Sequence, residues 1–317
     1  MVITTMKRYT ILLTIASLVF GMFGAWVDAC LQPAGRNRVG EEIQVEGVSA
    51  AEFVKSLTLH EDGAYWEKVR ADLERQRKNA YGLYNPNNLA VALIHLGQVK
   101  EAIPLLQKAE KESPGQYATA ANLGTAYELA GENQKALEWI KESINRDRDS
   151  HYGTEWLHVK ILEAKLAIGK DTEWLKKHSV LGINFGERGA NPPLESLPMD
   201  HFGQRKSLPE VEAALIYQLH ERLEFIKPPE PIVADLLSDL SRAFSLSGKA
   251  EHARAVQELA VSYGADSKEI IKEQQAEEKA DTKHNPVNSN IFYWLLGTVV
   301  VLIIGSLFFV WRKRKPH

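Results

Sequence analysis

A single cysteine, Cys30, stands in 317 residues, and that scarcity excludes an intramolecular disulfide. The fold must therefore be held by its own core. Excess positive charge is missing as well: Lys and Arg number 38 against 41 Asp and Glu, a formal net charge of −3. A chain so balanced carries no basic footprint for nucleic acid, so no such partner is expected. Catalytic signatures are absent too. There is no G-x-S-x-G elbow and no H-E-x-x-H pair, and Cys30, at what reads as an export boundary, gives no Cys–His pair with a usable thiol. The glycines of "GINFGERG", residues 182–189, lack the lysine and the strand-to-helix setting of a phosphate loop, so this stretch reads as surface loop. No cofactor is implied, and the chain is expected not to be an enzyme.

Charge is also missing from residues 291–311, "IFYWLLGTVVVLIIGSLFFVW". A helix of that length, at 1.5 Å per residue, spans a hydrocarbon core of roughly 30 Å. Tyr293 and Trp294 mark one interface and Trp311 the other. The tail 312–317 begins with Arg312, Lys313, Arg314 and Lys315, which places the C-terminus in the cytoplasm. At the other end Lys7 and Arg8 precede an apolar stretch over 11–27, then small residues and Ala29. Residues 1–29 are thus expected to be a secretory signal or an N-terminal anchor. Cleavage after Ala29 would leave Cys30 first. "VDAC", residues 27–30, also resembles a lipid-attachment signal at Val27 and Ala29, though not at Asp28. Either reading puts residues 31–290 outside the cytoplasmic membrane. The expectation is a single-pass protein of the cytoplasmic (inner) membrane with a periplasmic bulk.

What is present is a repeat. "ANLGTAYELAGENQKALEWI", residues 121–140, is strongly helix-forming yet carries Gly131 in its middle, at a cost of about 1 kcal/mol relative to alanine. Shifting it back by 34 residues lays Leu123 on Leu89, Gly131 on Gly97, Ala136 on Ala102 and Ile140 on Leu106. Leu89, Leu93 and Leu96 recur at helical spacing, and Gly97 ends that helix as a left-handed cap. Ala102 is small enough to let the next, antiparallel helix approach closely. Pro114 closes the unit. Each unit is a helical hairpin with too little core to stand alone, and stacking buries the shared face.

This spacing resembles the tetratricopeptide repeat, on Leu123, Gly124, Tyr127, Gly131 and Ala136 in one copy and Leu89, Ala90, Gly97, Ala102, Ala109 and Pro114 in the other. Ser143 and Arg148 stand where that family usually has Ala and Pro. A third unit over 234–264 places Leu240, Phe244, Gly248, Ala253, Val256 and Ala260 at the same offsets. The fold class expected is all-α, a solenoid of helical hairpins with a C-terminal membrane helix. The resemblance implies a groove lined by first helices, in which asparagines hold an extended peptide. Here Asn88 and Asn122 occupy that place, and Val91, Ile94, Thr125 and Glu128 share the surface. A protein or peptide partner follows, with the lipid bilayer as a second partner through residues 291–311. The first two units offer no Lys or Arg for a C-terminal carboxylate, so an internal or apolar segment suits the groove better.

The remaining organisation is as follows. Residues 30–61 are irregular. Repeats fill 62–178, opening with an amphipathic helix over 62–80. Within them, 151–178 reads as a hairpin with a long first helix, ended by Gly169, and a short second one. Residues 179–206, with four glycines and three prolines, form a long loop. Helical hairpins resume over 207–267, where Ser207 and Glu210 make a capping box with Pro209 in the first turn. A polar tether spans 268–290. Trp139 and Trp156 sit on packing faces; Trp174, beside the loop, is the aromatic placed to meet a ligand. His151, Glu155 and His158 fall at steps of four and three, so one helical face could present all of them to zinc. Two competing readings are a metal-dependent enzyme centred on 151–206 and a purely structural envelope spacer.

Overall fold

A computed structural model describes residues 43, 45–59, 62–78, 85–185 and 191–267. The N-terminal segment 1–29, Cys30, the tether 268–290, the apolar stretch 291–311 and the basic tail lie outside the described residues. Among the described residues no helix is long and apolar enough to cross a membrane. The chain forms two compact units, Met1–Ala265 and Asp266–His317, and every helix named below belongs to the first.

That unit is built from α1 (Ala50–Thr58), α2 (Gly63–Lys78), α3 (Pro86–His95), α4 (Val99–Glu112), α5 (Tyr117–Leu129), α6 (Asn133–Arg146), α7 (Glu155–Lys170), α8 (Leu208–Phe225), α9 (Pro231–Leu246) and α10 (Ala250–Tyr263). Among the described residues there is no strand, only an isolated bridge between Met199 and Arg205. The expected hairpins are α3/α4, α5/α6 and α9/α10. Asn85 caps α3 by accepting from Asn87 N–H at 2.9 Å, with Pro86 as its first residue. At each reversal a glycine is left-handed, with φ of +72° at Gly97, +79° at Gly131 and +78° at Gly248. The next N–H reaches back five residues: Gln98 to Leu93 O, Glu132 to Tyr127 O and Lys249 to Phe244 O, each 2.8 Å. This is the Schellman closure, which satisfies carbonyls the helix end would leave bare. Ala102, Ala136 and Ala253 follow at one common offset and are buried, as close helix approach requires.

The hairpins stack through α2 on α3, α4 on α5 and α6 on α7. Two apolar cores result, and α7 is shared between them. Val159 and Leu162 face the repeat core, while Trp156, Leu157, Ile161 and Ala164 face a second core built with α1, α8, α9 and α10. Lying between two cores, α7 buries apolar residues on both sides, and its polar Glu155 and His158 are buried with them.

Three expectations are revised. Gly169 does not end α7: the helix runs to Lys170 and closes at Asp171. Nothing lies within 4 Å of where a Gly169 Cβ would stand. The short second helix of that unit is one 3-10 turn, Trp174–Lys176. The segment 30–61, read as irregular, contains α1, capped by Ser49 Oγ accepting from Glu52 N–H at 3.2 Å.

The insertion after the 3-10 turn is tied down where it is described. Asp235 on α9 accepts from Val180 N–H at 2.7 Å. Arg205 Nη1 donates to the Glu195 and Leu197 carbonyls at 2.9 and 2.7 Å. Trp174 is half-buried against the second core and stacked on His178, centroids 4.9 Å apart.

Candidate functional site: a buried charge cluster beneath helix α8

Helix α8 starts where the sequence says it should, with Ser207 N–H donating to Glu210 at 2.8 Å and Pro209 in the first turn. Its far end crosses the C-terminal ends of α3 and α5. Glu224 Oε1 contacts Nδ1 of His95, the last residue of α3, and both side chains are buried. The His95 ring lies flat on Trp66 of α2, centroids 3.6 Å apart and 5° from parallel, with Phe225 beyond it at 5.1 Å.

One turn back, Arg222 reaches the last turn of α5. Its Nη1 donates to Glu128 Oε1 at 2.6 Å and its Nη2 to Oε2 at 3.3 Å. Lys165 Nζ lies 2.7 Å from the same Oε1. His158 Nε2 meets Glu128 Oε2 at 2.6 Å, and its Nδ1 meets Glu155 Oε2 at 3.2 Å. The other oxygen of Glu155 pairs with His151. Burial alone would raise the Glu128 carboxyl; Arg222, Lys165 and His158 together hold it well below the usual carboxylate range. Burial likewise opposes ionisation of Glu155, and His151 with His158 overcomes it. His158 is disfavoured as a cation by burial, yet the carboxylates on both ring nitrogens outweigh this and raise it, favouring its protonated form.

The zinc reading of His151, Glu155 and His158 is thereby recast. The three do converge, but not from one helix: His151, Tyr152 and Gly153 take left-handed φ of 49°, 56° and 69°, and α7 starts only at Glu155. Their ligand atoms are engaged with one another and with Glu128. Among the described residues no group of three or more His, Cys, Asp or Glu is arranged to hold a metal ion.

The residues predicted for the groove fall into two sets. Val91 and Ile94 are buried in the repeat core, and Glu128 belongs to the charge cluster. Asn122 is buried and its Nδ2 donates to Asn87 Oδ1 at 3.1 Å, a link between successive first helices one position away from the Asn88–Asn122 pairing drawn from the 34-residue period. Asn88 and Thr125 stay partly exposed, and Asn88 Oδ1 has no hydrogen-bond partner. The contacts of α8 were missed from sequence. Arg222 and Glu128 are 94 residues apart, and no local pattern announces such a pair.

A second group of buried charge lies on α9. Asp239 is buried with Oδ2 unpartnered, and Arg242 Nη1 comes no closer than 3.9 Å to its Oδ1. Burial, then the neighbouring Asp235 carboxyl, pushes Asp239 well above its ordinary range. A carboxyl raised in the folded state erodes stability as pH rises through its folded pKa, and the penalty vanishes below the unfolded value. Asp239→Asn should therefore raise stability at about pH 8 by about 1–2 kcal/mol, with a smaller gain near pH 5. Thermal melts at the two pH values check this; a lower Tm at the higher pH would contradict it.

Residues 88–154 match the family model of the tetratricopeptide repeat. No curated protein matches the chain. The glycine-closed hairpins of α3–α6 and their small residues at the close approach agree with this match over the same residues, so this part of the chain is similar to the tetratricopeptide repeat.

Proposed function

We propose that this chain is a non-enzymatic, membrane-anchored scaffold that binds a protein or peptide partner outside the cytoplasm. The observation that carries the binding part is the stack of hairpins matched to the tetratricopeptide repeat, a protein-interaction module. Its first helices carry Asn88 and Thr125, both partly exposed. The side-chain amide of Asn88 has the groups to donate to and accept from an extended peptide backbone. The placement rests on the charge-free 291–311, its basic flank, and Lys7 and Arg8 ahead of the N-terminal apolar stretch.

The test is in-cell crosslinking of the full chain carrying a photoreactive residue at position 88. The expected adduct joins an extracytoplasmic protein, and Thr125→Arg in the same chain lowers its yield by roughly fivefold, the equivalent of about 1 kcal/mol. Unchanged yield would remove Asn88 and Thr125 from the groove. A cytoplasmic adduct partner would overturn the topology.

A further inference from the structure

Three residues that line one cleft beside the charge cluster each carry a buried polar atom without a hydrogen-bond partner: Gln218 Nε2, Glu221 Oε1 and Arg222 Nε. All three sit on one face of α8, at steps of three and four residues from Gln218. Thr125 and Leu129 of α5 and His158 of α7 line the cleft with them, and Phe225 lies at its edge. The cleft is half open, with a cavity volume of about 30 Å³, room for roughly two waters. Folded proteins seldom leave buried polar atoms bare, and three on residues lining one half-open cleft offer a bound polar group atoms to pair with.

The chemistry of the three atoms selects the ligand. Two are donors and one is an acceptor. We propose that the cleft binds the carboxamide of an asparagine or glutamine side chain on the partner. A carboxamide oxygen has two lone pairs, one for Gln218 Nε2 and one for Arg222 Nε, and its NH2 donates to Glu221 Oε1. A carboxylate would set like charge against Glu221. An ammonium would leave both donors bare and face the Arg222 guanidinium. The surrounding charges are already paired among themselves, Glu128 with Arg222, Lys165 and His158, and Glu155 with His151 and His158, so a neutral group fits beside them. The space excludes a nucleotide or an aromatic ring. Burial raises the Glu221 carboxyl and outweighs the downward pull of His151 and of a hydrogen bond with Tyr217. This inference rests on the scaffold reading and supplies its selectivity.

The test uses propionamide, propionate and propylammonium as probes on the full chain in detergent micelles, read by the NMR signal of the Gln218 side-chain NH2. Propionamide is expected to move that signal saturably, with the two charged probes roughly tenfold weaker, a difference of about 1.4 kcal/mol. Glu221→Leu should weaken propionamide to the level of the charged probes while the backbone amide spectrum stays native. Glu221→Gln keeps an acceptor oxygen and should retain binding. Equal or tighter binding of propylammonium, or no shift of Gln218 with any probe, overturns the proposal. Crosslinking from position 88 that survives such a failure leaves the scaffold reading standing. Loss of crosslinking with propionamide binding intact removes only the scaffold reading.

Discussion

Replacing Glu128 with alanine should lower the stability of the first unit by about 3–5 kcal/mol, because it takes the shared carboxylate from buried Arg222 and His158 and from half-buried Lys165. Arg222, Lys165 and His158 all take their partner from this one carboxylate. For a unit of this size each kcal/mol moves Tm by about 2–4 °C, so a fall of roughly 10 °C is expected. Lys165 is the most exposed of the three and can turn outward, and His158 can lose its proton while keeping Glu155; Arg222 can do neither. The double variant Glu128→Met with Arg222→Met should therefore recover much of the loss, since well-packed apolar pairs often replace buried ion pairs without penalty. Hydrogen exchange along α8 separates this account from general damage: Glu128→Ala should free α8 before α5 and α6. A fall in Tm with uniform loss of protection would argue against α8 being pinned here.

The sign of the pH dependence follows from the same cluster. Glu128 and Glu155 are held below their unfolded values, so their stabilisation is present above roughly pH 4.3 and is lost as pH falls through the folded values. His158 is held above its unfolded value, so its contribution is complete below about pH 6.5 and fades as pH rises through the folded value. The wild-type profile should be highest between those limits, and Glu128→Gln should flatten its acid side.

What could be read from sequence was local. A glycine five residues before a buried alanine, three times over, fixes the hairpins through Gly97, Gly131 and Gly248. The capping box of Ser49 and Glu52 was equally available in "SAAE" and would have placed α1. Gly169 misled because glycine is a stop signal only when its φ is positive, and here it stays helical. The cluster was half legible: the spacing of His151, Glu155 and His158 announced convergence, but what they converge on arrives from α5 and α8. Long-range ion pairs of this kind leave no period and no motif. Asn122 shows the finer limit. A 34-residue repeat aligns it with Asn88, while packing joins it to Asn87, because neighbouring helices meet by side-chain reach rather than by register.

Gly124→Leu is expected to be the most damaging substitution in the repeats, and the reason differs from that at Gly131. Gly124 lies inside α5 with ordinary helical backbone, where alanine would by propensity gain about 1 kcal/mol. Space forbids it. An added Cβ would stand 2.5 Å from Ile140 Cγ1 and 3.3 Å from the Ile140 backbone nitrogen. Ile140 is fully buried on α6 and packed in the repeat core, so it must shift against its neighbours to make room. Alanine should thus cost about 1–3 kcal/mol through overpacking, and leucine, with three more carbons, about 4 kcal/mol or more, enough to separate α5 from α6. Gly131 has the opposite problem. Its φ is +79° and nothing lies within 4 Å of a Cβ there, so Gly131→Ala should cost only about 1–2 kcal/mol of backbone strain. Urea melts of the two alanine variants with and without Ile140→Val separate the mechanisms. Shortening Ile140 should recover part of the loss in Gly124→Ala and none in Gly131→Ala; rescue of both, or of neither, would mean that the seam between α5 and α6 is not where Gly124 acts.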